Sequence, residues 1–417
     1  MQSHENLDLE KCYEQSVELL LRCSSPDGFM ASFQKLYNYH RIWGRDGSIN
    51  TLAAIVTGRA DLIESGGKTL LTLAKNQGPH GEIPSNVDTT SGRISYGGTA
   101  GRVDSNLWFL IACGEYFRHT ENEQFLDTIR EPLEKVVFLL GAWEFNSRGL
   151  LYVPVTGDWS DEYIHNGYIL YDQLLYLQAL RSVALIREHI DAGRDHFLEE
   201  KIARLIRLIR ANYWFSHEDA VPADAYHEVI YEKARAAACH CEDRHWLPFF
   251  TPLGYGYRFD SFANVLVSLF NLADEDQRRA VDKHIDAIVP ADRISLLPAF
   301  HPVITPKDED WQDLQMTFSY TFKNKPYEFQ NGGLWPLITG LYAADLAARG
   351  DKERAEKFLY GACEANSKTD NTGKPLFPEF IHGRTFEPGG TTFQAWSAAA
   401  YIIGYQALFE DNHLFRD

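Results

Sequence analysis

The sequence lacks several features that mark other classes of protein. No apolar run reaches the roughly 20 residues that a membrane-spanning helix needs, so no membrane segment is predicted. Residues 1–6 have neither a basic stretch nor an apolar core, so no signal peptide is predicted and a cytoplasmic location is expected. Basic residues number 40 and are outnumbered by 58 acidic ones. The net charge of −18 argues against nucleic acid as a partner, because phosphates need a basic surface.

Cysteine is also sparse, and the six cysteines are not spaced as a disulfide scaffold. Cys12 and Cys113 lie within apolar helical patterns, where cysteine behaves as a small hydrophobic residue. Cys239, His240 and Cys241 form a short run of metal-ligating residue types, but no second pair stands at zinc-site spacing. The sequence therefore predicts a reduced protein with no metal ion and no cofactor.

Helical periodicity covers almost the whole chain, and convincing runs of alternating apolar and polar residues are missing. Twelve helices are predicted. Their bounds are 9–23, 47–56, 61–75, 104–118, 123–143, 170–189, 194–213, 259–272, 276–289, 334–349, 352–365 and 392–410.

Two kinds of helix alternate along this series. Leu198, Ile202, Leu205 and Ile209 form an amphipathic stripe, whereas the segment 261–270 is apolar on nearly every side. A helix without a polar face must be covered all round, so the alternation predicts six inner helices surrounded by six outer ones. The predicted fold is all-α, an (α/α)6 barrel that forms a single domain over residues 1–417. A helical solenoid is the alternative, but no repeated residue pattern supports it.

Long loops precede the predicted inner helices, whereas the turns that lead to outer helices are short. In a closed barrel the inner-helix N-termini meet at one end, so these loops are expected to surround a single pocket. Ser160 stands in Trp-Ser-Asp rather than Gly-x-Ser-x-Gly, which argues against a serine hydrolase. The carboxylates that the loops carry are Asp46, Asp104, Asp158, Asp161, Glu162, Glu328 and Glu379.

The stretch 157–168 is dense in acidic and aromatic residues and lies just before a buried helix. Aromatic rings stack on sugars, and a carboxyl beside Trp159 would be partly desolvated, which raises its pKa and suits a proton donor. The alternative is that these acids only cap the helix. Glycoside cleavage needs two carboxyl groups. Residue types alone leave Asp161 or Asp158 as the acid, and Glu379 or Asp46 as the second group.

The motif set resembles the (α/α)6 α-glycoside hydrolases that include amylo-α-1,6-glucosidases, the glucosidase part of glycogen debranching enzymes, and alkaline/neutral invertases. The segment 43–47, Trp-Gly-Arg-Asp-Gly, resembles the debranching glucosidases. The segments similar to the invertases are 103–108, 331–336, 377–380 and 393–397. The resemblance implies that Asp161, two residues after Trp159, is the general acid and that Glu379 is the general base.

Further residues are expected to bind the sugar. They are Trp43, Arg45, Asp46, Asn86, Asp104, Trp159, Gln173, Asn331, Trp335, Gln394 and Trp396. Several have a structural alternative. The rings at 43, 335 and 396 are also compatible with the core, Asp104 with a helix N-cap, Arg45 beside Asp46 with an ion pair, and Gln173 with a satisfied core amide.

The function predicted is an inverting exo-α-glucosidase that acts on a short α-glucoside or oligosaccharide, without nucleic acid or membrane as a partner. Alternatives are a neutral invertase that cleaves sucrose and a hydrolase of a glucosylated osmolyte. Glu162-Tyr163 departs from the invertase pattern, which makes sucrose a less favoured substrate. The large N-terminal domain of debranching enzymes has no counterpart in this sequence, which makes glycogen a less favoured substrate. Outside hydrolysis, a sugar epimerase using His40, His165 or His382 and a glycan-binding barrel are considered. A homo-oligomer is compatible with the sequence.

Overall fold

The structure, a computed structural model, describes residues 7–36, 38–191, 193, 195–215, 220–238, 243–289, 293–318 and 320–415. The Cys239–Cys241 run lies outside the described residues. The helices are α1 (Leu9–Cys23), α2 (Gly44–Thr57), α3 (Ala60–Lys75), α4 (Asp104–Thr120), α5 (Glu123–Trp143), α6 (Leu170–Asp191), α7 (His196–Tyr213), α8 (Glu228–Ala238), α9 (Ser261–Leu269), α10 (Glu275–Ile288), α11 (Trp311–Met316), α12 (Pro336–Ala348), α13 (Lys352–Asn366) and α14 (Ala395–Phe409).

The strands are two or three residues long. They are β1 (Ser24–Ser25), β2 (Gly28–Phe29), β3 (Ile42–Trp43), β4 (Asn86–Asp88), β5 (Arg93–Ser95), β6 (Tyr168–Ile169), β7 (Phe249–Thr251), β8 (Gly254–Tyr255), β9 (Phe259–Asp260), β10 (Phe300–His301), β11 (Phe380–Ile381) and β12 (Pro388–Gly389). All pairings are antiparallel, in the orders β1-β2, β3-β4-β5, β6-β7-β8, β9-β10 and β11-β12.

Six helices form a closed inner ring. In ring order they are α2, α4, α6, α9, α12 and α14; each packs against the next, and α14 packs back against α2. This last contact excludes an open solenoid, whose first and last repeats do not meet. The helices α1, α3, α5, α7, α10 and α13 alternate with the inner helices along the chain. The predicted (α/α)6 barrel is confirmed.

The two predicted kinds of helix differ in burial as expected. In α12 every residue from Pro336 to Ala347 is buried. In α10 only Val281, His284 and Ile285 are buried, and the remaining residues face or approach solvent. Cys12 and Cys113 are buried in the core, as predicted.

Helices α8 and α11 were not predicted. The apolar positions of α8 are largely alanines, which mark a buried face only weakly. Its Tyr231 and Ala234 pack with Phe215 and Leu247 in a small apolar cluster outside the main core. Helix α11 has six residues, too few to show a helical period. Both helices lie in segments that the sequence analysis treated as loop.

Short strand pairs hold the loops that precede inner helices. β3 ends directly before α2, β6 directly before α6 and β9 directly before α9. Each ladder ties its loop to another part of the chain; Trp43, for example, pairs with Asn86. The rigid barrel and these ladders together fix the backbone at one end of the inner ring. In the part of the chain that the structure describes, no helix combines the length and the apolar character needed to cross a membrane.

Candidate active site

A cavity of about 550 Å³, counted with its open mouth, lies at the N-terminal end of the inner helices. The cavity is lined by Tyr39, Trp43, Arg45, Asp46, Trp159, Asp161, Glu162, Lys323, Asn324, Phe329, Gln330, Trp335, Glu379, Gln394 and Trp396. The segments before α2, α6, α12 and α14, together with the first turns of α2 and α14, supply this lining. Six loops were expected to converge here, but those before α4 and α9 are absent from it.

Most of the predicted site residues line the cavity, including both predicted catalytic carboxyls. The sequence analysis missed Tyr39, Lys323, Asn324, Phe329 and Gln330. These residues lie in segments that carry no periodic pattern and match no motif. The one available signal was that four of them come shortly before the motif at residues 331–336.

Glu379 stands just ahead of β11, with its side chain buried. The Tyr39 hydroxyl lies 3.1 Å from each carboxylate oxygen, and the Thr391 backbone N–H donates to Oε2 at 3.0 Å. Burial raises the pKa of Glu379 to about 7, although these two donors and the nearby Lys323 ammonium lower it. Glu379 therefore exchanges a proton near neutral pH.

Asp161 is half-exposed at the cavity wall, and Arg102 Nη2 lies 3.0 Å from its Oδ1. Its φ of 43° is in the left-handed region, which costs a non-glycine residue about 1 to 3 kcal/mol unless the surroundings hold it. Hydrogen bonds hold the backbone on both sides: the Asp161 N–H donates to the Asp158 carbonyl, and the Glu162 carbonyl accepts from Asn324. The loop is therefore strained but firmly held.

The first turn of α2 places two charged side chains in the cavity floor. Arg45 Nη1 lies 2.8 Å from Asp104 Oδ2 and its Nε 3.9 Å from Asp46 Oδ2. Gln394 Nε2 donates to Asp46 Oδ1 at 3.0 Å. Burial raises the pKa of Asp46 to about 6, against the opposing effect of Arg45. Asp104 is fully buried behind Arg45, and the N-cap of α4 is Val103, with Asp104 already the first helical residue, so the N-cap alternative is wrong.

Tryptophan rings form the apolar part of the floor. Trp159 and Trp335 meet edge to face at 5.3 Å, and Trp335 meets Trp396 at 5.7 Å. Trp335 and Trp396, like Trp159, are almost fully buried, so for these two rings the core alternative and the pocket position hold together. Trp43 also lines the cavity but is only partly buried. Among the described residues, the indole N–H groups of Trp159 and Trp396 and the Gln394 Oε1 have no hydrogen-bond partner.

Three predicted sugar-binding amides lie outside the lining. Gln173 bonds the backbone of Leu151 in both directions, at 2.9 Å each, and does not contact Asp161. Asn331 is fully buried and bonds the backbone of Ile304 in both directions. Asn86 accepts from the Arg41 guanidinium at 3.1 Å. In each case the amide is occupied by protein groups. The structural alternative for Gln173 is therefore the one observed.

A group of buried carboxyls lies behind the cavity rather than in its wall. Asp158 is 1% exposed, and its Oδ1 accepts from the backbone N–H and hydroxyl of Ser160. Burial raises the pKa of Asp158, of Asp172 and of Asp260, and their mutual repulsion and that of Asp104 raise it further. Asp161, not Asp158, therefore faces the cavity.

The histidines that an epimerase would need are not in the described lining. His165 is buried among Tyr163, Phe249 and Phe300, and burial lowers its pKa to about 3. His382 accepts backbone N–H groups of its own turn. Among the described residues, no group of three or more His, Cys, Asp or Glu side chains is arranged to hold a metal ion.

Comparison with known proteins finds relatives in sequence and solved structures with a similar fold. No family model matches the chain. Probable alkaline/neutral invertase D of Arabidopsis thaliana is 22% identical over 93% of this chain and 80% of its own length. Cytosolic invertase 1 of Oryza sativa subsp. japonica is 22% identical over 93% of this chain and 76% of its own length. The resemblance to alkaline/neutral invertases inferred from the motifs is thus confirmed.

Solved structures share the fold. A bacterial glucoamylase bound to acarbose superposes with a TM-score of 0.65 at 16% identity, covering 97% of this chain and 56% of that chain. The present chain thus spans little more than half of the glucoamylase. The GH63 mannosylglycerate hydrolase of Thermus thermophilus superposes with a TM-score of 0.63 at 14% identity, covering 94% of this chain and 99% of that chain.

Proposed function

We propose that this protein is a glycoside hydrolase that releases glucose from the end of a short α-glucoside with inversion of configuration. The observation that carries the proposal is that Asp161 and Glu379 line one cavity together with three tryptophan rings that pack edge to face. Two carboxyl groups that face one cavity are the minimum machinery of glycoside cleavage. The invertase relatives and the glycosidase fold support the reaction class.

Each carboxyl has a distinct task in the proposed reaction. Asp161 protonates the glycosidic oxygen as the bond to the anomeric carbon breaks. Glu379 accepts a proton from a water molecule that attacks the opposite face of the sugar. Tyr39 orients the Glu379 carboxylate through its hydrogen bonds. Asp46, fixed by Arg45 and Gln394, would accept hydrogen bonds from sugar hydroxyls.

The pKa of Glu379 favours a second assignment of the two roles. A carboxyl whose pKa is about 7 remains partly protonated at neutral pH, which suits a general acid as well as a base. In that assignment Glu379 donates the proton and Asp161 activates water. The two assignments predict opposite behaviour toward a substrate whose leaving group needs no protonation.

The first experiment is a glucose-release assay on isomaltose, panose, maltose, trehalose, sucrose, glucosyl-glycerol and glucosyl-glycerate. Proton NMR follows which anomer forms first. We expect β-glucose to form first from one of these α-glucosides. The substrate that is cleaved identifies the leaving group. α-Glucose would contradict inversion. Sucrose is included because the relatives are named invertases, and its cleavage would favour that second candidate.

The second experiment assigns the roles with Asp161→Asn and Glu379→Gln on α-glucosyl fluoride, whose fluoride leaves without full protonation. Loss of general acid catalysis costs about 10²- to 10⁴-fold on an ordinary glycoside. We expect Asp161→Asn to keep most of its fluoride hydrolysis and Glu379→Gln to lose it. The reverse pattern would assign Glu379 as the acid.

A cytoplasmic location remains a prediction.

A further inference from the structure

Two side chains from a distant part of the chain donate hydrogen bonds to the backbone on either side of Asp161. Asn324 Nδ2 donates to the Glu162 carbonyl at 2.6 Å, and Gln330 Nε2 donates to the Trp159 carbonyl at 3.3 Å. Asn324 and Gln330 are both buried. The strained Asp161 thus lies between two backbone carbonyls that are fixed from outside its own loop.

The Asn324 amide is itself locked in one orientation. Its Oδ1 accepts from the backbone N–H groups of Gln330 at 3.0 Å and Asn331 at 3.3 Å. Because N–H groups only donate, this oxygen cannot exchange places with the amide nitrogen. The nitrogen must therefore face the Glu162 carbonyl.

A second donor reaches the same carbonyl but is less committed. Thr317 Oγ1 lies 2.5 Å from the Glu162 oxygen and 2.8 Å from the Leu314 oxygen. A hydroxyl has one proton and can donate to only one of these acceptors at a time. Asn324 is therefore the donor dedicated to the Glu162 carbonyl.

We propose that Asn324 is a positioning residue that fixes the carboxyl of Asp161 against the leaving-group oxygen. The inference rests on the function proposed above, because it presupposes that Asp161 is the general acid. Asn324 is within the cavity lining, but the role assigned to it acts through the backbone of the acid loop. A displacement of about 1 Å in a reacting group is enough to lower a rate about 10²-fold.

The test uses Asn324→Asp, which keeps the size and the accepting oxygen but replaces the donor with a second acceptor. We expect the kcat for the disaccharide identified in the panel to fall about 10- to 100-fold, with KM changed less. Hydrolysis of α-glucosyl fluoride should fall by less than about threefold, because fluoride departure depends little on the acid. Thr317→Val should show the same selectivity with a smaller loss.

Asn324→Ala, which introduces no charge, is the second variant should the aspartate prevent folding. The matched control is Asn212→Asp. Asn212 is also a buried amide that bonds two backbone carbonyls, those of Leu208 and Asp224, but it lies outside the cavity. Its variant should lower the melting temperature without changing the ratio of the two activities.

Equal losses on the disaccharide and the fluoride in the Asn324 variants would overturn the positioning role and leave a merely structural one. Unchanged activity on both would overturn it as well. Asp161→Asn is measured in parallel. If that variant loses both activities alike, the acid assignment fails whatever the Asn324 variants do. If it shows the selective loss and the Asn324 variants do not, only the present inference fails.

Discussion

Most outer helices and most inner helices begin differently; the exceptions are outer helix α3, which has no side-chain cap bond, and inner helix α9, which Asp260 caps. Five outer helices begin with an Asp or Asn whose side chain accepts a backbone N–H of the first turn; these caps are Asp8, Asn122, Asp195, Asp274 and Asp351. Inner helices α2, α4, α12 and α14 follow Trp43, Val103, Trp335 and Gln394 and have no side-chain cap bond among the described residues.

The difference separates stability from binding. A side-chain cap satisfies backbone donors and stabilises a helix by about 1 kcal/mol. An uncapped N-terminus keeps its N–H groups and the positive end of its dipole available to anionic groups nearby. In this barrel the uncapped ends of α2, α12 and α14 contribute side chains to the cavity that contains Asp46, Asp161 and Glu379, whereas the uncapped end of α4 does not. Changes that reach the residues lining the cavity should therefore affect activity, and changes at the outer ends should affect stability.

The largest effect is expected from Gly390→Ala at the inner end. Gly390 has a φ of 71°, and an added Cβ would overlap the Glu379 carboxyl. The carboxyl must shift, so kcat should fall about 10²-fold. Steady-state kinetics with the melting temperature as a companion measurement checks this. A variant with a much lower melting temperature but an unchanged kcat when folded would contradict the proposed difference between inner and outer helix ends. Gly350→Ala, at a similarly positive φ with open space around it, is the control.

A smaller effect is expected from Tyr39→Phe, which removes the hydroxyl that donates to Glu379. That hydrogen bond lowers the pKa of Glu379, so its loss should raise this pKa above its present value of about 7. If Glu379 is the base, kcat/KM should fall about tenfold at pH 6 and less at pH 8. A pH–rate profile measures this. An acid limb that stays in place would show that Tyr39 does not act on Glu379.

Asp172 lies in the first turn of inner helix α6. We expect its buried carboxyl to make the free energy of unfolding depend on pH. Burial and the charges of Asp158, Asp104 and Asp260 raise its pKa well above the ordinary value near 4. A raised folded-state pKa means that stability is fully present below the unfolded-state pKa and is lost as the pH rises through the folded-state pKa.

Asp172→Asn mimics the protonated carboxyl and cannot ionise. Its gain in the free energy of unfolding should therefore be about 1 to 3 kcal/mol larger at pH 8 than at pH 5. Urea denaturation at the two pH values measures the difference. Equal effects at both would show that the carboxyl is already charged in the folded protein at pH 5, as it is in the unfolded chain.

The smallest effect is expected from Asp274→Ala at the outer end. Asp274 and Gln277 form a reciprocal capping box at the start of α10. Its loss should lower the free energy of unfolding by about 1 kcal/mol and leave kcat and KM unchanged. Urea denaturation and the glucose-release assay check the two statements. A fall in kcat at constant folding would mean that the outer ends also influence the cavity.

The barrel could be predicted from the sequence because the apolar residues of each helix show how many of its sides are buried. An inner helix such as α12 is apolar all round, and an outer helix such as α10 has one narrow apolar stripe. These patterns are local and independent of what each helix contacts. Helices α8 and α11 were missed because one is rich in alanine and the other is shorter than two turns.

The site was predictable only where a motif preserves residue types. Glu379 and Asp161 come from such motifs and face the same cavity. Asn324 could not be found in this way, since its partner Glu162 is 162 residues away and only the fold brings them together. Gln173 misled because an amide on an apolar helix can be satisfied by backbone groups as readily as by substrate.

The contact between α2 and α14 has a consequence for biosynthesis. Asp46 and Gln394, 348 residues apart, meet in the cavity floor. Such a pairing has a high sequence separation and must form late, because the loop-closure entropy is lost before the contact is made. On a ribosome, which emits about 5 to 20 residues per second, α14 emerges many seconds after α2. The nascent chain therefore exposes an unclosed row of helices during translation, and its catalytic centre exists only once that row has joined its own beginning.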